Sequence, residues 1–311
     1  MKPAFSVIIF TTLAGFSQGL ITFIALATLL GMALEPAYLT AGLTLALVLL
    51  GAGLLSSFFH LGHPERAWRA IMQWRTSWMS REVIVLPALM GVTGLWWLQQ
   101  VTGVSVISPA LLALLTLLLT IALWVCTAMI YACLRFIQEW AHPVTMVYYI
   151  VLGLSSGFVL SAWLGSARGD TALLATLTPW ALVLTLAAWL TRVWALRRNA
   201  QIKHKSTLQS ATGIKNPQLV QTAMGMTGGS YNTREFFHHA SMQVLRQARV
   251  IGQVLGFALP LLLVLLMMLT GSSTVLWTLA LISQLLGLLA DRWLFFAQAK
   301  HPQNLYYQVV S

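Results

Sequence analysis

Two residues of this chain stand where protons can be handled at the edge of a membrane. His60 closes one apolar run within "FFHLGHPERA", and Glu82 opens the next within "SREV". An ionisable group inside a membrane segment is costly, and where it occurs it usually serves a function. Imidazole gives up and regains a proton near neutral pH. A carboxylate at the mouth of an apolar run can pass protons inward from water. Together they suit the reduction of a quinone, which takes electrons and protons in pairs and needs a hydrogen-bond donor at each carbonyl oxygen. Apolar helices leave room for the isoprenoid tail.

Other polar residues gather at the same level. Tyr131 and Arg135 close the fourth apolar run, His142 precedes the fifth, and Asp291 and Arg292 lie near the end of the eighth. The loop between His60 and Glu82 adds His63, Glu65, Arg66, Arg69 and Arg75, with Trp68, Trp74 and Trp78. Arg69, Arg81 and the tryptophans fit snorkelling cations and an aromatic belt. His60 and Glu82 fit that account less well, because a carboxylate that begins an apolar run needs a partner. The candidate quinone-binding set is therefore His60, Arg66, Glu82, Tyr131 and Arg135, with ubiquinone and menaquinone both open. A b-type haem needs two histidines facing each other from different spans. His60 is placed inside a span, whereas His63, His142, His238 and His239 are interfacial or in loops, so haem b remains an alternative near that interface. Cys126 and Cys133 share a face of one helix without zinc or iron–sulfur spacing. They read as small buried hydrophobes, and no metal of the chain's own is expected.

The elements that position these residues follow from composition. Of 311 residues 58% are hydrophobic and 8% charged, against about 25% charged in a soluble domain. The bilayer must be the solvent, and about 20 consecutive apolar residues cross its core. Segments of that kind run over Phe5–Met32, Ala37–His60, Val83–Val101, Ile107–Leu134, Val144–Ser166, Thr171–Trp194, Val250–Thr270 and Thr274–Phe295. The fold class is all-α, a polytopic membrane protein of eight transmembrane helices, in one domain over residues 1–311 with a basic cytoplasmic loop at about 195–248. An even count puts both termini on one side. That side also takes the loops after the second, fourth and sixth spans, and every Lys and Arg except Arg168. The positive-inside rule makes it cytoplasmic, N-in and C-in. Gly228, Gly229 and Ser230 mark a break in the basic segment, and Asn232 with Glu235 reads as a capping box that starts a helix near Thr233. That segment offers a docking surface for a soluble partner, or a contact with anionic lipid.

The motifs then resemble a known family. "HLGHPERA" followed by "SREV" resembles the membrane-anchor subunits of the dimethyl sulfoxide reductase family, and the resemblance covers most of the chain. "NTREFFHHA" and "DRWLFFAQAKHPQNLYY" look like its sulfite-dehydrogenase branch. The resemblance implies an eight-helix anchor with no cofactor of its own. It would hold a molybdopterin catalytic subunit and a four-cluster iron–sulfur subunit at the bacterial inner membrane, and exchange electrons with the quinone pool. It carries the family's quinone-site histidine onto His60, the following arginine onto Arg66 and the acidic residue onto Glu82. Tyr131, Arg135 and Arg292 match no family motif and rest on local reasoning. The charge map puts the partner-binding face inside the cell, which fits sulfite oxidation better than reduction of an external acceptor. The competing class is a small-solute transporter, which would show polar residues or broken helices near the bilayer midplane. Pro179 and Pro260 could break two spans, but no midplane charge accompanies them. Nothing in the sequence points to nucleic acid.

Overall fold

The structure, a computed structural model, describes residues 1–203, 205–223 and 236–306. Among them eight helices are long and apolar enough to cross a bilayer: α1 (Phe5–Leu29), α2 (Pro36–Phe58), α3 (Trp78–Thr102), α4 (Pro109–Ala132), α5 (Pro143–Ala167), α6 (Thr171–Ala200), α7 (Met242–Thr270) and α8 (Thr274–Ala297). Their starts are set locally. Ser77, Ser108, Asp170 and Ser241 accept backbone N–H groups at the heads of α3, α4, α6 and α7, and proline occupies the first turn of α2, α4 and α5.

The centre of the bundle is α1 against α5. Their apolar windows are 78% and 72% buried, and no other span exceeds 39%. Glycine makes this contact possible. A Cβ on Gly19 would lie 2.1 Å from the Gly153 carbonyl oxygen, and one on Gly157 would lie 2.2 Å from the Gly19 backbone. Helices in lipid gain little from burying apolar surface against each other, so close backbone approach supplies much of the attraction. The same device joins α7 to α8, where a Cβ on Gly287 would stand 1.9 Å from the Gly256 nitrogen. Within α7 a π-turn over Val254–Ala258 precedes Pro260, absorbing the carbonyl that the proline ring would otherwise strike. α6 runs through Pro179 unbroken.

The elements depart from the sequence reading in five places. α6 continues past Trp194 to Ala200, so Arg197 and Arg198 are helical rather than part of the loop; nothing in "ALRRNA" breaks a helix. α7 starts at Met242, because residues 236–241 are irregular and Ser241 supplies the cap. The Asn232–Glu235 box and the break at Gly228, Gly229 and Ser230 lie outside the described residues. α3 has 25 residues and begins at Trp78 rather than Val83, so Glu82 lies inside its N-terminal part rather than at its mouth. Cys126 is buried but Cys133 is exposed at the end of α4. The middles of α1 and α8 are not wholly apolar. Gln18 and Gln284 are buried there, and the Gln284 amide donates to Ser155 Oγ at 2.9 Å, which meets Thr185 Oγ1 at 2.9 Å.

Candidate functional site

Glu82 is buried, and its carboxylate accepts a hydrogen bond from Thr127 Oγ1 on α4. Tyr131 lies one turn further along α4, on the same face as Thr127. Its ring is enclosed by Trp140 at 5.3 Å, Tyr149 at 5.7 Å, Phe295 at 5.5 Å and Phe296 at 5.4 Å, centroid to centroid. The Tyr149 ring stacks on it at 14°, while the others meet it edge-on. The box is pinned by Trp140, whose indole N–H donates to the Phe295 carbonyl at 3.1 Å.

Beyond Tyr149 the polar strip continues across the bundle. Asp291 on α8 receives Arg192 Nε of α6 at 2.5 Å on one oxygen and the Tyr148 hydroxyl of α5 on the other. Both charged side chains are 1% exposed. The Arg292 guanidinium sits over the Tyr149 ring at 3.8 Å and the Tyr148 ring at 4.9 Å. Glu82, Tyr131, Tyr149, Arg292, Tyr148, Asp291 and Arg192 thus form one buried sequence of polar and aromatic groups, with Glu82 and Arg292 both within electrostatic reach of Tyr131 and Tyr149.

The remaining candidates stand outside this interior. α2 ends at Phe58, so His60 lies just beyond the span and is exposed. Partial burial still pushes its imidazole below the ordinary histidine value. A short 3₁₀ helix, Pro64–Gln73, follows and packs on α3. Arg66 on it lies 3.6 Å from Glu65, and His63 Nδ1 is 3.1 Å from the same carboxylate oxygen. Arg135 is exposed beyond the end of α4. Among the described residues no hydrogen bond or ion pair joins His60 or Arg66 to Glu82. The structure therefore brings Glu82 and Tyr131 into one interior cluster and leaves His60, Arg66 and Arg135 on its polar lip.

A wide groove of about 1040 Å³ opens elsewhere on the same face, between Phe136, the irregular stretch at 236–241, the head of α7 and the chain beyond α8. Lys205, Arg249 and Lys300 line it, and among the described residues no acidic side chain does. No cluster of three or more metal-ligating side chains occurs among the described residues.

A family profile described as DMSO reductase anchor subunit (DmsC) matches residues 1–298. The chain belongs to that family. This anchor is similar along its full length to a sulfite dehydrogenase subunit from Allochromatium vinosum, with 48% identity over 327 positions covering 100% of both chains. It is also 32% identical over 143 positions to anaerobic dimethyl sulfoxide reductase chain YnfH of Escherichia coli, covering 45% of this chain and 48% of that one. It is a multi-pass membrane subunit of a DMSO reductase-type complex.

In the anchor the interior partners are the part that sequence reasoning missed. Thr127, Tyr148 and Tyr149 look like ordinary helix residues, Trp140 like a loop tryptophan of the aromatic belt, and Arg192 like a cation near the end of a span. One signal is available in the sequence. Asp291 stands in an apolar run, and a buried carboxylate there requires a cation from another helix.

Proposed function

We propose that this anchor is the quinone-reactive membrane subunit of a sulfite dehydrogenase. It would hold a molybdopterin catalytic subunit and an iron–sulfur subunit with several clusters on the cytoplasmic face of the bacterial inner membrane. The observation that carries the quinone reading is Glu82. It is a carboxylate buried inside a lipid-embedded bundle, held by one hydroxyl, one turn of α4 from an enclosed tyrosine. The full-length likeness to a sulfite dehydrogenase subunit supports the choice of donor. The one-sided Lys and Arg distribution supports the orientation.

A quinone supplies a carrier of two electrons and two protons, ubiquinone or menaquinone, soluble in the bilayer. The residues of this chain divide the work around it. His60, exposed yet partly desolvated, exchanges protons with water and offers a ring N–H as donor. Arg66 and Arg135 keep the lip cationic and favour negative charge there. Glu82 stores a proton away from bulk water, and Thr127 fixes its orientation. Tyr131 is held rigid by its aromatic neighbours and closes the interior side. The transporter reading finds polar groups inside the bundle, Gln284, Ser155 and Thr185, but no broken helix with them: α6 runs through Pro179 and α7 passes Pro260 on a π-turn.

The test is purification of the intact complex from membranes. Molybdenum, iron and acid-labile sulfide should copurify with the anchor, and sulfite should reduce added quinone. An anchor that purifies without these metals, or a complex inert to sulfite, overturns the reading.

A further inference from the structure

Arg292 lies in the polar interior with no ion-pair partner among the described residues. It is 2% exposed, and its Nε and Nη1 find no hydrogen-bond partner. The adjacent carboxylate does not serve it: Asp291 is bonded to Arg192 through one oxygen and to Tyr148 through the other, and no hydrogen bond joins it to Arg292 among the described residues. The Tyr148 and Tyr149 rings lie against it at 4.9 and 3.8 Å and supply a π face. Arginine stays protonated in proteins, so these N–H groups require an acceptor.

Beside it lies a small cavity of about 10 Å³ between α1, α5 and α8, walled by Thr11, Thr12, Ser156 and Arg292 with glycine and leucine. The walls have a definite polarity. Thr11 Oγ1 donates to the Val7 carbonyl at 2.9 Å, Thr12 Oγ1 to the Ile8 carbonyl at 2.8 Å, and Ser156 Oγ to the Leu152 carbonyl at 3.0 Å. Each hydroxyl commits its only proton along its own helix, so what it has left to offer a guest is lone pairs. One wall therefore donates and the others accept. A guest must accept from a cation and donate to hydroxyl oxygens at once. A halide or a carbonyl oxygen does only the first. The volume matches about one solvent-sized sphere.

We propose that this cavity is a built site for a single water molecule, which accepts from Arg292 and donates to Thr12 and Ser156, tying α8 to α1 and α5. The water solvates a guanidinium that no described carboxylate bonds. It thereby lets a standing positive charge rest one tyrosine away from Tyr131. The site does not depend on the quinone or sulfite assignments, and neither does its test.

The test is a double-mutant cycle on the purified complex, read as thermal midpoint, with a density map of the unaltered complex at a resolution that shows ordered water. Thr12→Val with Ser156→Ala removes the acceptors and should lower the midpoint by several degrees. In an Arg292→Met background the same pair should change it little, because the bonds lost along α1 and α5 are common to both backgrounds and cancel. The map should show one peak within hydrogen-bond distance of Arg292 and of Thr12 or Ser156. Equal losses in the two backgrounds would overturn the proposal. So would a map in which the guanidinium bonds a hydroxyl directly, or one with no peak; the map decides the matter even if an Arg292 variant fails to assemble.

Discussion

Replacing Asp291 with asparagine should loosen the junction of α5, α6 and α8 more than most single changes in this chain. The carboxylate lies 2.5 Å from Arg192, and each partner is 1% exposed. Asparagine keeps the shape and an acceptor for Tyr148 but leaves Arg192 as a buried, uncompensated cation. Removing one partner of a buried pair costs roughly 3–5 kcal/mol, whereas replacing both by uncharged groups of similar size is often near neutral. The pair Arg192→Met with Asp291→Asn should therefore recover most of what Asp291→Asn loses. For a chain of this length the single variant should unfold on the order of 5–10 °C earlier. Cys126 provides the assay, since it is buried while Cys133 is exposed. With Cys133→Ser as background, a thiol-reactive dye reports only the opening of the bundle. Two results would refute the reasoning: a single variant within a degree of its parent, or a double variant as unstable as the single.

Three further expectations are independent of that pair. Gly19→Ala should block α1 from α5, because its Cβ would fall 2.1 Å from a carbonyl oxygen, while Gly94→Ala, with nothing within 4 Å, should be tolerated; protease resistance of the anchor in membranes distinguishes them. His142 accepts the Val144 N–H at the head of α5, and burial, with Arg198 nearby, holds its imidazole below the ordinary value. A depressed histidine binds its proton later in the folded than in the unfolded state, so this cap should be intact above about pH 6.5 and its contribution lost as pH falls through the lower folded value. His142→Asn, a cap that does not titrate, should remove that part of the pH dependence of the thermal midpoint. Finally, reversing the exposed cations Arg197, Lys203 and Lys205 should release the soluble subunits from membranes, with the largest difference from the parent at low salt, where exposed charges are least screened; complete retention would leave that surface to lipid.

The eight spans can be read from composition because a bilayer forces apolar length on any crossing helix, and that requirement shows in a single sequence. Helix ends are less visible. α6 outlasts its apolar stretch by several residues, since arginine is as helical as leucine and only the polarity changes at Trp194. Glu82 stands out because a carboxylate is conspicuous in an apolar run. Its partner does not, because Thr127 is one of many hydroxyls, and which helix faces α3 is decided by packing. The same holds for Tyr148 and Tyr149, whose roles depend on α8 lying against α5. Arg192 misleads for a plainer reason: a cation near the end of a span usually reaches water, and this one is met by Asp291 before it can.

The central claim, that quinone is handled at His60 and Glu82, is tested most directly by comparing two electron acceptors in one preparation. Membranes carrying the intact complex would be assayed for sulfite-dependent reduction of a soluble dye and of a quinone, with His60→Ala, Glu82→Gln and the parent side by side. Dye reduction should be unchanged, because that chemistry belongs to other subunits. Quinone reduction should fall sharply, general acid–base assistance being worth about 10²–10⁴ in rate, and Glu82→Gln should also move its pH dependence. Normal quinone turnover in both variants, or an equal fall of both activities, would contradict the account.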